Sequence, residues 1–189
     1  MTYAGTTGHI GAHFHSAAHT RTLSMPATTA RLVAPGSITN GQFGLFRWDM
    51  NPGAGGPAAH FHKTFSESFY ILKGTVKLFN GTTWVNAKAG DFLYVPEGGI
   101  HGFHNDGDAD ASMIILFAPG APRERYFEEL AEIAATGRTL STEEWIELWV
   151  RHDRPVSSIG PSRLHRVEVL VRPTEPYGAV TAPSHNRTS

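Results

Sequence analysis

Cysteine is absent from the 189-residue sequence, so disulfide frameworks, thiolate metal sites and cysteine nucleophiles are excluded. The chain also lacks an excess of one charge, with 16 Lys and Arg against 17 Asp and Glu, and so lacks the basic composition of a nucleic-acid-binding domain. No apolar run reaches the ~18 residues of a membrane-spanning helix. The first residues do not show the basic segment followed by an apolar stretch that is typical of a signal peptide. We therefore expect a cytoplasmic protein that binds neither nucleic acid nor membrane.

Histidine is abundant by contrast, with 11 residues in the chain. Four of them, His9, His13, His15 and His19, lie within residues 1–30, where Thr, Ala and Gly are also frequent. Apolar residues in this segment follow neither a helical nor a strand period. The composition predicts an extended N-terminal arm over residues 1–30, suited to lie along a neighbouring subunit.

Residues 31–120 carry the pattern of a β-barrel or β-sandwich. Short runs of β-branched and aromatic residues are separated by Gly, Pro and Asn. Asn80-Gly81 lies between two of these runs and predicts a tight hairpin turn. The predicted strands cover residues 42–50, 67–72, 75–79, 82–86, 91–95 and 112–117.

Residues 121–189 differ in character and predict two helices, an edge strand and a loose tail. Apolar residues recur at helical spacing over residues 123–135, and Gly137 ends this first helix. Ser141 opens a capping box, S-x-x-E, ahead of a second helix with one apolar face. Alternation over residues 162–172 predicts the strand, and the tail follows it.

Four side chains form a candidate metal site. His60 and His62 are spaced i, i+2, which on a strand puts both imidazoles on one face. Glu67 follows across a short turn, and His101 comes after a second turn rich in Gly and Pro. Inward-facing side chains of neighbouring barrel strands can converge on one point. Three imidazoles and a carboxylate suit a first-row divalent ion, so we predict one bound Fe, Mn, Ni, Co, Cu or Zn with open coordination positions.

The spacing of these residues resembles the two signature motifs of the cupin family. The first motif, G-x5-H-x-H-x3,4-E-x6-G, is matched except at its leading glycine, where Ala54 stands between two glycines. The second, G-x5-P-x-G-x2-H-x3-N, is matched in full. The resemblance covers about residues 53–105 and does not include the N-terminal arm. The matched positions are His60, His62, Glu67, Gly74, Gly90, Pro96, Gly98, His101 and Asn105.

The resemblance implies an all-β double-stranded β-helix, or jelly roll, that binds one metal ion through His60, His62, Glu67 and His101. One or two C-terminal helices would follow it. Residues 125–130, soon after the barrel, resemble the helix of single-domain bacterial cupins of the quercetin-dioxygenase type. That second resemblance implies a dioxygenase acting on a small aromatic or polyketide-like (flavonoid-like) substrate. Glu67 would be a metal ligand that can also act as a general base. Cupins commonly dimerise through strands and exchanged N-terminal segments, so a homodimer is expected.

Two other functions stay open for the same residues. A non-redox isomerase or cyclase of secondary metabolism would use the same ligands, and native zinc without oxygen uptake would favour it. A non-enzymatic cupin that binds a small molecule is the third possibility. Seed-storage cupins commonly lack some of the ligands, whereas all four are present here.

Neighbouring residues are assigned by their parity along each strand. His104 lies three residues after His101 and would face the opposite side, so it is not predicted to bind the metal. Phe69 shares parity with Glu67, and Phe103 shares parity with His101. Both are predicted to line the barrel interior, either as core or as part of an apolar substrate pocket.

Overall fold

The computed structural model describes residues 4–9 and 11–154. Over this range the chain forms nine β-strands followed by two α-helices, with short 3-10 turns at Ala17–His19 and Gly36–Ile38. The strand predicted at residues 162–172 and the tail after it lie outside the described residues. The helices are α1 (Arg123–Thr136) and α2 (Thr142–Arg151). The strands are β1 (Thr22–Ser24), β2 (Thr28–Ala34), β3 (Gly44–Met50), β4 (Ser66–Lys73), β5 (Thr75–Phe79), β6 (Trp84–Lys88), β7 (Phe92–Val95), β8 (Gly102–His104) and β9 (Ala111–Ala118).

The strands form two antiparallel sheets that share one apolar core. The larger sheet has the order β1-β2-β3-β9-β4-β7, and the smaller has the order β6-β5-β8. Phe69 of β4 and Phe103 of β8 join the two sheets, with ring centroids 5.6 Å apart. Burial alternates along β3, where Phe46 and Trp48 point into the core, as expected for a strand with one face covered. The predicted all-β double-stranded β-helix with C-terminal helices is confirmed.

The barrel begins earlier than the predicted boundary at residue 31. β1 and the first residues of β2 lie inside the segment predicted as an extended arm, and Leu23 pairs there with Ala30. The boundary is therefore wrong. β1 has three residues and buries only Leu23, so it is too short to show the alternation by which strands are recognised.

The hairpin between β5 and β6 is wider than the Asn-Gly pair predicts. Phe79 pairs with Trp84, so residues 80–83 form the loop and β6 begins at Trp84 instead of residue 82. The side chain of Asn80 explains this difference, because its Oδ1 accepts hydrogen bonds from the backbone N–H groups of Thr82 (3.0 Å) and Thr83 (2.9 Å). Such local bonds compete with strand pairing and hold both residues in the turn.

Both helices have the ends that the sequence predicts. α1 ends at Thr136 and is followed by Gly137, whose φ of 64° lies in the left-handed region that favours glycine. α2 begins with a reciprocal capping box between Ser141 and Glu144. Within the described part of the chain, no helix combines the length and apolarity needed to cross a membrane.

The two helices pack back against the barrel core. The Phe127 ring of α1 lies 5.1 Å from Phe46 and 5.2 Å from Trp48, measured between ring centroids. On α2 the apolar face, formed by Trp145, Leu148 and Trp149, is buried. We call residues 123–154 the helical cover, because they enclose one side of the barrel core.

Gly74, between β4 and β5, is expected to tolerate no side chain. Its φ is +72°, and an added Cβ would lie 2.4 Å from the carbonyl oxygen of Asp110. Gly53 is a matched control, with a φ of +68° and nothing within 4 Å of the added Cβ. We expect Gly53→Ala to cost about 1–2 kcal/mol for the left-handed backbone. Gly74→Ala should cost clearly more, because the backbone must also move. Denaturant unfolding measures both losses, and equal losses would contradict the close contact.

Candidate metal centre

Two loops and one strand bring the four predicted residues together. His60 and His101 form an isolated β-bridge in which each backbone N–H donates to the other's carbonyl at 2.9 Å. The N–H of Gly98 donates to the carbonyl of His62 at 2.7 Å and ties the same two loops a second time. Glu67 lies on β4 between β7 and β9, so its side chain has a fixed place in the larger sheet.

His60 and His62 do not lie on a β-strand, contrary to the prediction. The bridge at His60 is the one strand-like pairing within residues 51–65. Residues 52–57 contain three Gly and two Pro, which weaken strand pairing. Both imidazoles are nevertheless buried while Phe61 is partly exposed, so the i, i+2 spacing still directs the two rings inward.

The cluster is fully enclosed. The exposed fraction is 3% for His60, 2% for His62, 4% for Glu67 and 0% for His101. The Oε2 atom of Glu67 lies 3.0 Å from Nε2 of His62 and 2.8 Å from Nε2 of His101. One potential ligand atom from each of the four residues lies within 4.8 Å of all the others, so the cluster could hold a metal ion.

Each imidazole is oriented by a backbone carbonyl. The Nδ1 atom of His60 lies 2.9 Å from the oxygen of Ala58, and that of His101 lies 3.0 Å from the oxygen of Gly99. The Nδ1 atom of His62 lies 2.6 Å from the carbonyl oxygen of Asp153. A carbonyl oxygen only accepts, so each Nδ1 must carry the proton that it donates. Whenever such a ring is neutral, its Nε2 atom presents the lone pair, which is the metal-binding arrangement of protein histidines.

The chemistry of this donor set fits a divalent metal ion. A neutral imidazole Nε2 and a carboxylate oxygen are both acceptors, so contacts of 2.8–3.0 Å between them require a proton or a metal cation to join them. One cation among the four side chains would accept a lone pair from one ligand atom of each residue. Three imidazole nitrogens and one carboxylate oxygen are ligands that first-row divalent ions accept.

The electrostatics of the cluster favour an ionised Glu67 and a neutral His60. Burial alone would raise the pKa of Glu67, but the charge and hydrogen bonds of His101 and His62 hold that pKa well below its usual range. Burial lowers the pKa of His60, and the charges of Arg154, His101 and His62 lower it further. An ionised carboxylate and a neutral imidazole are the forms that bind metals. The lowered pKa also makes Glu67 a weak base while it contacts both histidines.

Aromatic rings and one buried cation surround the cluster. The Phe65 ring stacks on His62 at 4.3 Å, and the Phe69 ring lies 5.8 Å from that of His101. The Arg123 guanidinium of the helical cover is buried, with its Cζ 5.5 Å from the Phe65 ring and 5.2 Å from the Phe117 ring. Phe117 is the register partner of Glu67, which places the Arg123 charge beside the cluster.

Two residues that follow His101 act outside the cluster. Asn105 closes its own loop, because its Nδ2 donates to the carbonyls of Asn51 (3.0 Å) and Ala109 (2.8 Å). His104 is partly exposed and its ring packs on Trp84, with centroids 4.5 Å apart. His104 is therefore not part of the cluster, as the strand parity predicts.

Sequence patterns do not reveal the contribution of the helical cover. Asp153, Arg123 and Arg154 belong to no motif, and Asp153 is 91 positions from the histidine that it contacts. A charged residue near a helix end is usually solvated, so nothing local marks these three as part of the site. The burial of the two arginines and the contacts of all three residues become visible only in the folded chain.

A family model described as the cupin domain matches residues 46–117. Among curated proteins, quercetin 2,3-dioxygenase from Bacillus subtilis (strain 168) is 28% identical over 102 residues. The match covers 54% of this chain and 29% of that protein. The chain therefore spans less than a third of the length of this relative.

Solved structures share the barrel architecture. KdgF from Halomonas sp. superimposes with a TM-score of 0.50 at 18% identity, covering 57% of this chain and 94% of that one. A predicted oxalate decarboxylase from Thermotoga maritima gives a TM-score of 0.50 at 18% identity, covering 55% of this chain and 96% of that one. At such identities the likeness concerns the fold.

His101 and His104 offer a matched test of the cluster. We expect His101→Ala to weaken Zn²⁺ binding by more than the ~10–100-fold typical of losing an outer partner of a ligand. His104→Ala should bind Zn²⁺ as the wild type does, because its ring packs on Trp84. Competition with a chromogenic chelator measures the affinities. Equal affinities in all three proteins would place the bound zinc elsewhere, for example on the N-terminal histidines.

Proposed function

This chain belongs to the cupin superfamily, and from that premise we propose that it is a metal-dependent enzyme. His60, His62, Glu67 and His101 would hold one divalent ion. The buried donor set carries the proposal: three imidazoles whose Nδ1 atoms are bonded to carbonyls surround an enclosed carboxylate. Burying a carboxylate costs several kcal/mol, and an apolar core of the same volume would avoid that cost.

We propose oxygenation of a small aromatic or polyketide-like compound as the reaction. The metal, when bound, would supply Lewis-acid and redox chemistry toward an enol or phenol oxygen of the substrate. The 28% sequence identity with quercetin 2,3-dioxygenase over 102 residues supports this reaction class. The barrel would contribute a site from which water is excluded, because the four residues are at most 4% exposed.

The surroundings of the cluster favour an aromatic substrate with an acidic oxygen. Phe65, Phe69 and Phe117 supply flat apolar surface against the histidines. The Nε atom of Arg123 is buried and has no hydrogen-bond partner among the described residues. A buried cation beside the cluster would stabilise the anion that forms when an enol or phenol loses its proton.

Glu67 would serve first as a ligand. A general-base role requires its carboxylate to leave His62 and His101, whose contacts lower its pKa. In that role a Glu67 oxygen would accept the proton of the substrate hydroxyl.

Oxygen consumption tests the proposed reaction. The metal-free protein is loaded separately with Fe, Mn, Ni, Co, Cu or Zn and mixed with a flavonol, or with the matched flavone that lacks the 3-hydroxyl group. We expect oxygen uptake with the flavonol and a redox-active metal, and none with the flavone. His101→Ala should show no uptake with either compound, because a ligand is missing.

The same assay separates the alternatives. Conversion of a substrate without oxygen uptake, supported by zinc, would favour a non-redox isomerase or cyclase. Saturable binding of the flavonol without conversion, under every metal, would favour a binding protein. Either result would overturn the dioxygenase proposal and leave the metal centre in place.

A further inference from the structure

The three histidines of the cluster are oriented in two different ways. His60 and His101 each donate from Nδ1 to a carbonyl two residues earlier, so their own loops fix their rings. His62 donates from Nδ1 to Asp153 at 2.6 Å, and this residue follows α2 in the helical cover. The orientation of one candidate ligand therefore depends on a segment outside the barrel.

Asp153 also holds the turn that follows His62. Its Oδ2 accepts hydrogen bonds from the backbone N–H groups of Lys63 (3.1 Å) and Thr64 (2.9 Å), and from the Thr64 hydroxyl (2.6 Å). The carbonyl and the carboxylate of one residue thus hold the His62 ring and the chain immediately after it. Asp153 has a φ of 48°, a left-handed conformation that Asp and Asn adopt more readily than most residues.

Buried guanidinium groups fix the backbone on both sides of Asp153. Arg123 donates to the carbonyl of His152 at 2.8 Å. Arg154 donates to the Tyr126 hydroxyl at 2.9 Å and lies 5.1 Å from the Trp149 ring. These contacts join α1 to the end of α2, so the Asp153 carbonyl is held in place by the rest of the helical cover.

We propose that Asp153 is a positioning residue of the metal centre, through which docking of the helical cover fixes the His62 imidazole for metal binding. This inference rests on the proposed metal centre. Any opening of the cover that moves Asp153 would also release the Nδ1 of His62. Opening the cluster on the side of the helical cover would therefore also change the orientation of His62.

Two substitutions of Asp153 separate this role from simple packing. Asp153→Gly removes the carboxylate that anchors the segment and adds no strain at the positive φ. Asp153→Asn keeps an acceptor oxygen for Lys63 and Thr64 and tolerates the same backbone. Arg151→Ala is the control for general loosening, because it breaks the 2.7 Å contact of Arg151 with Glu129 on α1 and leaves Asp153 intact.

Zinc affinity is the first readout. We expect Asp153→Gly to weaken Zn²⁺ binding about 10–100-fold, as loss of an outer partner of a ligand typically does. Asp153→Asn should restore most of the affinity, and Arg151→Ala should bind as the wild type does. Thr64→Val removes one donor to Asp153 and should change the affinity in the same direction, by less. If circular dichroism shows that Asp153→Gly is unfolded, Thr64→Val replaces it as the test variant.

The second readout uses metal-free protein and nitrogen-15 NMR of the histidine rings. In the wild type, His62 should keep its proton on Nδ1 and exchange it slowly. In Asp153→Gly that proton should exchange faster at His62 alone, with His60 and His101 unchanged. Unchanged zinc affinity together with an unchanged His62 ring would overturn the inference. Absence of zinc binding in the wild type would instead refute the metal centre, and the NMR comparison would still test the contact of Asp153 with His62.

Discussion

The contact of the buried Glu67 carboxylate with two imidazole Nε2 atoms is the interaction on which the site depends. A carboxylate enclosed to this degree is stable only when cations or hydrogen-bond donors compensate its lost hydration. A proton on Nε2 of His62 and of His101, or a metal ion held by the same atoms, would supply that compensation, and in either case these Nε2 atoms have to point inward. Each Nδ1 then needs an acceptor on its other side, and the carbonyls of Ala58, Gly99 and Asp153 meet that need.

This requirement links distant parts of the fold. The register of β4 with β7 and β9 places Glu67 in the larger sheet, while the bridge of His60 with His101 joins two irregular loops. The third carbonyl comes from the helical cover, so the helices do more than shield apolar surface. Carbonyls of the barrel loops orient two of the three rings, and the carbonyl that orients the third belongs to residue 153.

Local sequence patterns predict much of this arrangement. The spacing of His60, His62, Glu67 and His101 identifies the cluster, although the first pair lies on an extended loop instead of a strand. Capping and periodicity predict both helices because these signals act within a few residues. Patterns fail at β1 and at Asp153, because contacts with distant segments determine the structure or role of these residues. They also fail at Asn80, because its side chain competes with strand pairing. The expected homodimer and cytoplasmic location stay predictions.

A crystal structure of protein expressed without added metal and purified without a metal-affinity step tests the central claim most directly. Diffraction data collected on both sides of the absorption edge of each first-row metal would locate and identify the ion. The account predicts a single anomalous peak in the cluster. The metal ion at this peak should be bonded to one nitrogen of each of His60, His62 and His101 and to a carboxylate oxygen of Glu67. A structure reconstituted with metal that shows no peak there, with Glu67 still in direct contact with His62 and His101, would contradict it.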